Sequence, residues 1–462
     1  MKPAMAWQRQ VYPQVGEEIW RAAPPGGPEV LVVPKPGFAR RYATFSTRYG
    51  SNDRRFIARG GQDWLTVPAG IAHFLEHQLF DHPERNILEE LTALGASPNA
   101  YTGHYYTVYL ISAVDRWVEA FDRLLEFVQR PAFRPESVRK EQGIIEQEIR
   151  MYQDNPFAQL REALLEALYH RHPVRDPILG TVDDIRRIDP ELLFACHRTF
   201  YHPANMTVMV TGDVDREAIL AHVERRVADG STPPGGIRRE LPDEPESVAR
   251  HEVVRRLNVS RPYAALGVKL PPLVGADPVD GEMAAGGRAA LERIVAGEVA
   301  LEALCGRATP LYQRLYEAGV ITDTFWYRLE VQPAATFIEI GGQSDEPERL
   351  LNELKAALRQ VARQGPTADD FERARRAAIG SLLAVCDHLP AINGAVLRDR
   401  YLGLDFFARA DVLQRLKVDD GAAFWAEAIR DDRLAFARVE RKAGAGGAAA
   451  GGRMDPEEVS GP

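Results

Sequence analysis

The spacing of apolar residues along the chain changes period several times, and each change marks an element. Residues 29–33 and 41–47 read as short strands. Over 68–80 and 85–94 the apolar positions recur every three or four residues, which predicts two helices. Strand patterns return at 99–102 and 105–112. Helical ones then fill 115–129 and most of 135–169. A helix over 190–200 leads into a strand at 206–211, ended by Gly212 and Asp213, and a helix over 216–227 follows. After an interruption the order begins again. Strands are predicted at 251–259 and 263–270, helices through 288–318, strands at 322–331 and 336–342, broken helices from 346 to 430, and a last strand at 434–439.

Both halves therefore run strand pair, helices, strand pair, helices, strand. Residue identity between them is poor, so the likeness is one of element order. It predicts an α+β fold of two similar domains, each a sheet covered by helices. The interruption holds Gly-Ser-Thr-Pro-Pro-Gly-Gly followed by mixed charge, a linker composition. It divides the chain into an N-terminal domain at 1–230, a linker at 231–248 and a C-terminal domain at 249–442. Residues 275–287 read as a loop. Residues 443–462 are rich in glycine and alanine without larger periodic apolar residues, and a disordered tail is expected there.

Composition narrows the function. A chain of 462 residues exceeds one compact core and suits two domains. Its net charge of -9 excludes the concentrated basic surface that nucleic acid demands. The N-terminus has no apolar leader, and no stretch approaches the roughly 20 apolar residues of a membrane span. The expectation is a cytoplasmic protein with no membrane and no nucleic-acid partner. Cys196, Cys305 and Cys386 are distant and odd in number, so a disulfide framework is not expected, and without a Cys-x-x-Cys pair neither is a thiolate metal site.

One cluster carries chemistry. His73, Glu76 and His77 lie within a single predicted helix, as His-Phe-Leu-Glu-His. Two histidines four apart share a helix face one turn apart, so both imidazoles can reach one ion at the roughly 2.0–2.1 Å that zinc requires. Glu76 lies on nearly the same face, within reach of a water at that ion. The order is the inverse of His-Glu-x-x-His. Ile71, Phe74, Leu75 and Leu79 supply a core-packing face, and polar groups beside such a face are costly unless paired or bound to metal. A catalytic zinc needs a third protein ligand and an open fourth position. Glu141, Glu146 and Glu148 are candidates on a later helix. Glu141 and Glu148 are seven apart on one face, so either could ligate while the other supports; spacing alone does not choose.

These residues resemble the insulinase-like (pitrilysin-type) metallopeptidases with the inverted zinc motif, in the half-length form of processing-peptidase subunits. Residues 68–80 are similar to that family's zinc helix, Gly-Ala-Ser-Pro-Asn-Ala-Tyr-Thr at 95–102 to the segment after it, and Glu-Gln-Gly-Ile-Ile-Glu-Gln-Glu-Ile at 141–149 to its second metal-binding helix. Residues 180–182, 200–206 and 210–213 also resemble family segments. The resemblance implies Glu148 as the third ligand, Glu141 as its support, Glu76 as general base, one zinc per chain, and Asn99 and Ala100 as substrate contacts. It implies a peptidase whose halves close as a clamshell, with the peptide added as a strand at a sheet edge. This chain would be one half, paired with a second homologous chain. In the family the other half brings an Arg and a Tyr, seven apart, to the substrate carbonyl. Tyr316 and Asp323 stand at those positions here, so a heterodimer whose partner restores the pair is expected, with a homodimer as the alternative. Tyr105 stands where many members carry an acid. A non-catalytic scaffold subunit of the same fold is the competing class.

Overall fold

The computed structural model describes residues 7–82, 85–227, 236–277 and 285–442. The expected tail at 443–462 and residues 231–235 of the expected linker lie outside the described residues, as does most of the loop expected at 275–287. The fold is α+β, as the element order predicts. The chain gathers into two compact units, which we describe separately.

The first unit holds the described residues within Met1–Ile149, Pro177–Glu240 and Leu383–Tyr401. Its seven-stranded sheet runs Gln8–Tyr12, Glu17–Ala22, Glu29–Pro34, Met206–Gly212, Arg41–Thr47, Thr107–Ala113, Ser97–Thr102. Glu29–Pro34 and Met206–Gly212 pair in parallel, and the other neighbours are antiparallel. One face carries the core, with Phe45, Phe74, Tyr109, Phe121 and Phe200 each buried under the helices Ile71–Phe80, Trp117–Gln129 and Pro190–Phe200. The other face is rich in hydroxyl groups. The helix Leu389–Tyr401 lies on it, with the Thr44 hydroxyl 2.9 Å from Asn393 Oδ1 and Ser46 Oγ 2.8 Å from the Tyr401 hydroxyl.

The second unit holds the described residues within Arg150–Asp176, Leu241–Leu382 and Leu402–Pro462. Its sheet runs Glu252–Leu257, Leu434–Arg441, Tyr263–Leu270, Ala335–Gln343, Trp326–Gln332, again with one parallel pair, Glu252–Leu257 with Leu434–Arg441. This reproduces the last five strands of the first sheet: opening strand, closing strand in parallel, second strand, then the later hairpin. The repeat in element order is thus a repeat in topology. The helix Pro156–Leu168 packs on this sheet, and Gly267 makes room for it, since a Cβ there would lie 2.9 Å from Leu168 Cδ1. Glu339 is fully buried with Arg161 3.5 Å and Arg328 3.1 Å away, so the interior charge is paired.

Neither unit is a contiguous half of the sequence. The predicted helix at 135–169 breaks at Asn155, whose side chain caps Phe157 and Ala158 ahead of Pro156; the second piece belongs to the second sheet. The described part of the linker is also bonded more closely than its composition suggests. Arg238–Arg239 pairs with Arg55–Ile57, and Arg239 holds buried Asp53 at 2.7 Å. Further on, Glu244 accepts the backbone N–H groups of His170, Arg171 and His172, each at 2.8 Å, and Lys269 Nζ at 2.6 Å. Two strands, Gln8–Tyr12 and Glu17–Ala22, extend the first sheet beyond what the pattern predicts.

Candidate metal centre

The helix Ile71–Phe80 is buried on nearly every side, which fixes its orientation. Phe74 and Leu75 are wholly excluded from water, each contributing about 1.5–3 kcal/mol by that burial. Its start is held by a close crossing. Gly70, with φ 80°, passes Gly180, with φ 71°; a Cβ on Gly70 would lie 2.1 Å from Leu179 O, and one on Gly180 2.6 Å from Ala69 O. Glycine at both positions allows the turn and the contact.

The second helix, Pro135–Asp154, docks through Val138, Ile145 and Ile149. That seam turns Glu141 and Glu148 towards the first helix. Three side-chain contacts then cross between the helices like rungs. Ser137 Oγ donates to Gln78 Oε1 at 3.1 Å, His77 Nδ1 lies 2.8 Å from Glu141 Oε1, and His73 Nε2 lies 3.1 Å from Glu148 Oε2. His77 Nε2 is 3.7 Å from that same Glu148 oxygen. One donor atom from each of His73, His77 and Glu148 lies within 4.8 Å of the others. Of the two acids that spacing left open, Glu148 is the one brought to both imidazoles. Glu141, 6% exposed, faces the Nδ1 side of His77.

This donor set fits zinc. Ligands of a tetrahedral ion at about 2.0–2.2 Å stand roughly 3.3–3.6 Å apart, and 3.1 and 3.7 Å bracket that spacing. Two imidazoles and one carboxylate leave a fourth position open. With Nδ1–H of His77 donated to Glu141, Nε2 keeps its lone pair for the ion. The charge balance also calls for a cation. Burial works against a proton on His73, but its bonds to Glu148 and Glu76 outweigh it and raise the pKa to about 9. Burial likewise opposes charge on Glu148, yet the His73 bond and the two imidazoles bring its pKa below the ordinary value.

Glu76 is 7% exposed, and its Oε2 lies 3.6 Å from His73 Nδ1. It accepts a hydrogen bond of 2.7 Å from the Thr102 hydroxyl. Sequence reasoning did not single out Thr102; its presence at the end of the edge strand beside Asn99 and Ala100 was the available signal. Behind the motif helix, Tyr109 and Tyr201 share a hydroxyl contact of 2.9 Å. Burial, then Tyr201, then nearby Glu76 hold the Tyr109 phenol well above its ordinary pKa.

Asn99 and Ala100 lie on Ser97–Thr102, the outermost strand on its side of the sheet. Asn99 is exposed and its Oδ1 accepts the Ala100 N–H at 2.9 Å; Ala100 packs partly against the core. Gly103 N donates to Tyr106 O at 2.9 Å, which sets the phase of the hairpin. Antiparallel residues alternate between bonding inward and outward, so Pro98, Ala100 and Thr102 direct their backbone groups to the open edge. Tyr105 stacks obliquely on Tyr106 at 4.8 Å. In the second unit, Tyr316 is 51% exposed and stacks on Tyr312 at 5.7 Å, while Asp323 lies in an exposed turn.

The fold and this cluster define a two-unit α+β protein with an inverted His-x-x-Glu-His helix facing a second, glutamate-bearing helix. The family model described as "Insulinase (Peptidase family M16)" matches residues 67–182, and that described as "Peptidase M16 inactive domain" matches residues 187–378. A Bacillus subtilis chain named "uncharacterized zinc protease YmfH" is 36% identical over 432 residues, covering 93% of this chain and 98% of that one. The structure of an M16-like peptidase from Alicyclobacillus acidocaldarius is 31% identical, with a TM-score of 0.84 over 96% of this chain and 100% of that one. A Helicobacter pylori protease shares the fold at 16% identity, with a TM-score of 0.77 over 92% and 99% of the two chains. The chain belongs to the insulinase family, peptidase family M16. Among the described residues no single helix is long and apolar enough to cross a membrane.

Proposed function

We propose that this chain is a zinc-dependent endopeptidase, or the catalytic subunit of one, that hydrolyses peptides or unfolded segments. The observation that supports this most is the meeting of His73, His77 and Glu148 donor atoms with Glu76 beside them. His73, His77 and Glu148 would hold one zinc ion. Zinc, when bound, supplies a Lewis acid that polarises a carbonyl and brings the pKa of water to about 7. Glu76 takes the proton from the attacking water on its carboxylate and returns it to the leaving amine. Glu141 keeps the proton on Nδ1 of His77 and fixes the ring.

The peptide docks as an added antiparallel strand on the edge formed by Pro98, Ala100 and Thr102. Main-chain bonding of this kind tolerates many sequences. The Ala100 N–H then exchanges its Asn99 partner for a substrate carbonyl.

We further propose that the working enzyme is a heterodimer whose chamber is closed by a second homologous chain. Tyr316 and Asp323 offer no guanidinium for the substrate carbonyl, so the partner would bring one. The chain purified with its native partner should contain about one zinc per copy of this chain and cleave an unstructured peptide. Glu76→Gln should keep the zinc and lose about 100- to 10,000-fold in turnover. Wild-type cleavage by Glu76→Gln, or cleavage indifferent to chelation, would sink the reading. Zinc without cleavage, with the partner present, would favour a scaffold subunit instead.

A further inference from the structure

Thr102 joins two parts of the proposed machinery. Its hydroxyl donates to Glu76 Oε2 at 2.7 Å, and its backbone N–H and C=O point to the open edge. Tyr101, one residue earlier, spends its backbone groups on Val108, and its side chain points to the opposite face of the sheet. Among residues of this strand, the same one therefore offers the peptide its last edge hydrogen bonds and holds the buried acid. Glu76 is itself 7% exposed and sits on a helix buried on nearly every side. The Thr102 bond engages Oε2, the same carboxylate oxygen that faces His73 Nδ1 at 3.6 Å.

We propose that Thr102 is a positioning residue through which docking of a peptide strand aligns Glu76 for proton transfer. The inference rests on the peptidase reading above. A peptide bonded to the Thr102 backbone stiffens the end of an otherwise open edge strand. A stiffer strand holds the hydroxyl, and with it Glu76, in one place. Substrates that pair along the whole edge are then turned over faster than short ones reaching the metal without pairing at Thr102. A hydrogen bond to a charged group is the right size of effect, since losing one changes a rate by roughly ten- to a hundredfold.

The test compares Thr102→Val, Thr102→Ser and Glu76→Gln in the zinc-loaded full chain purified with its native partner, using an unstructured peptide. Thr102→Val should keep its zinc and lower kcat about 10- to 100-fold with KM within about twofold, and Thr102→Ser should recover most of kcat. Apart from activity, a crystal structure of Thr102→Val should show the Glu76 carboxylate turned from its wild-type orientation, with His73, His77 and Glu148 in place. Wild-type kcat in Thr102→Val, a loss confined to KM or zinc content, or failure of serine to rescue would overturn the inference. Glu76→Gln separates the two failures. If it is inactive while Thr102→Val is normal, the coupling alone is wrong; if it cleaves normally, the peptidase reading is wrong.

Discussion

His77 and Glu141 stand with Nδ1 and Oε1 2.8 Å apart, and this contact decides which nitrogen of His77 faces the metal site. Glu141 is nearly buried and its Oε1 faces Nδ1, so its carboxylate keeps the proton on Nδ1 and the lone pair on Nε2. Glu141→Gln preserves size but removes the charge and offers an amide that can present either end. We expect zinc affinity to fall about 10- to 100-fold while the fold is retained. Competition against a chelator of known affinity measures this, and an unchanged dissociation constant would show that Glu141 does not set the His77 tautomer.

The cluster around the two imidazoles holds three carboxylates, Glu76, Glu141 and Glu148. A divalent cation relieves that excess, so binding should stabilise the folded chain. At free zinc 100-fold above the dissociation constant the gain is about 2.7 kcal/mol. Zinc added to chelated wild-type protein should raise the melting temperature, and the same addition to His73→Ala should not. An equal shift in both would place the stabilising ion elsewhere.

Much of this site was legible because a helix turns histidines four apart onto one face whatever surrounds it. The choice between Glu141 and Glu148 was not legible from spacing, because both occupy that face; the seam of Val138, Ile145 and Ile149 sets which one stands against both imidazoles. Thr102 was hidden for another reason, since strand alternation gives a side chain's face but not its partner across the core. The strand Gln8–Tyr12 escaped because four of its five residues are exposed and no apolar alternation is needed at such an edge. Helical periodicity also shows that 156–168 and 389–401 have apolar faces, but not which sheet each one covers. The first covers the second sheet and the other the first, so contiguous halves were the natural expectation and the observed units are discontinuous.

The crossing of Gly70 and Gly180 makes a separate demand. Both have positive φ, and a Cβ on either would meet backbone at 2.1 or 2.6 Å. A flexible side chain could yield to such contact, but backbone cannot without moving the start of the helix that carries His73 and His77. Gly70→Ala and Gly180→Ala should each cost at least about 2 kcal/mol, from strained φ and the clash together, and should weaken zinc binding. Gly143 is the control. It is exposed on a helix with open space around its Cβ position, so Gly143→Ala should leave stability equal or slightly higher. A loss below about 0.5 kcal/mol at Gly70 or Gly180 in urea titrations would mean that the crossing relaxes freely.

The second unit should carry its own acid sensitivity through His172, which is fully buried. Its ring is satisfied as one neutral tautomer. Nε2–H donates to Pro333 O at 3.1 Å, and Nδ1 accepts the Val174 N–H at 3.1 Å. A second proton would have to sit on Nδ1, facing another N–H. Burial is the largest influence and Lys269 adds to it. The Pro333 carbonyl and Glu244 pull the other way, and the pKa settles at about 4, against 6.5 for an ordinary histidine. Because the folded value is the lower one, the neutral ring's stability is intact above pH 6.5. It drains as pH falls from 6.5 to 4, where only the unfolded chain takes the proton. Below that both states are protonated and the loss is complete, on the order of 3 kcal/mol. His172→Asn keeps an acceptor for Val174 N–H and cannot titrate. In zinc-free protein it should be less stable than wild type at pH 7, and the gap should narrow by pH 4.5. A gap that stays constant across urea titrations at the two pH values would mean that His172 titrates normally in the folded chain.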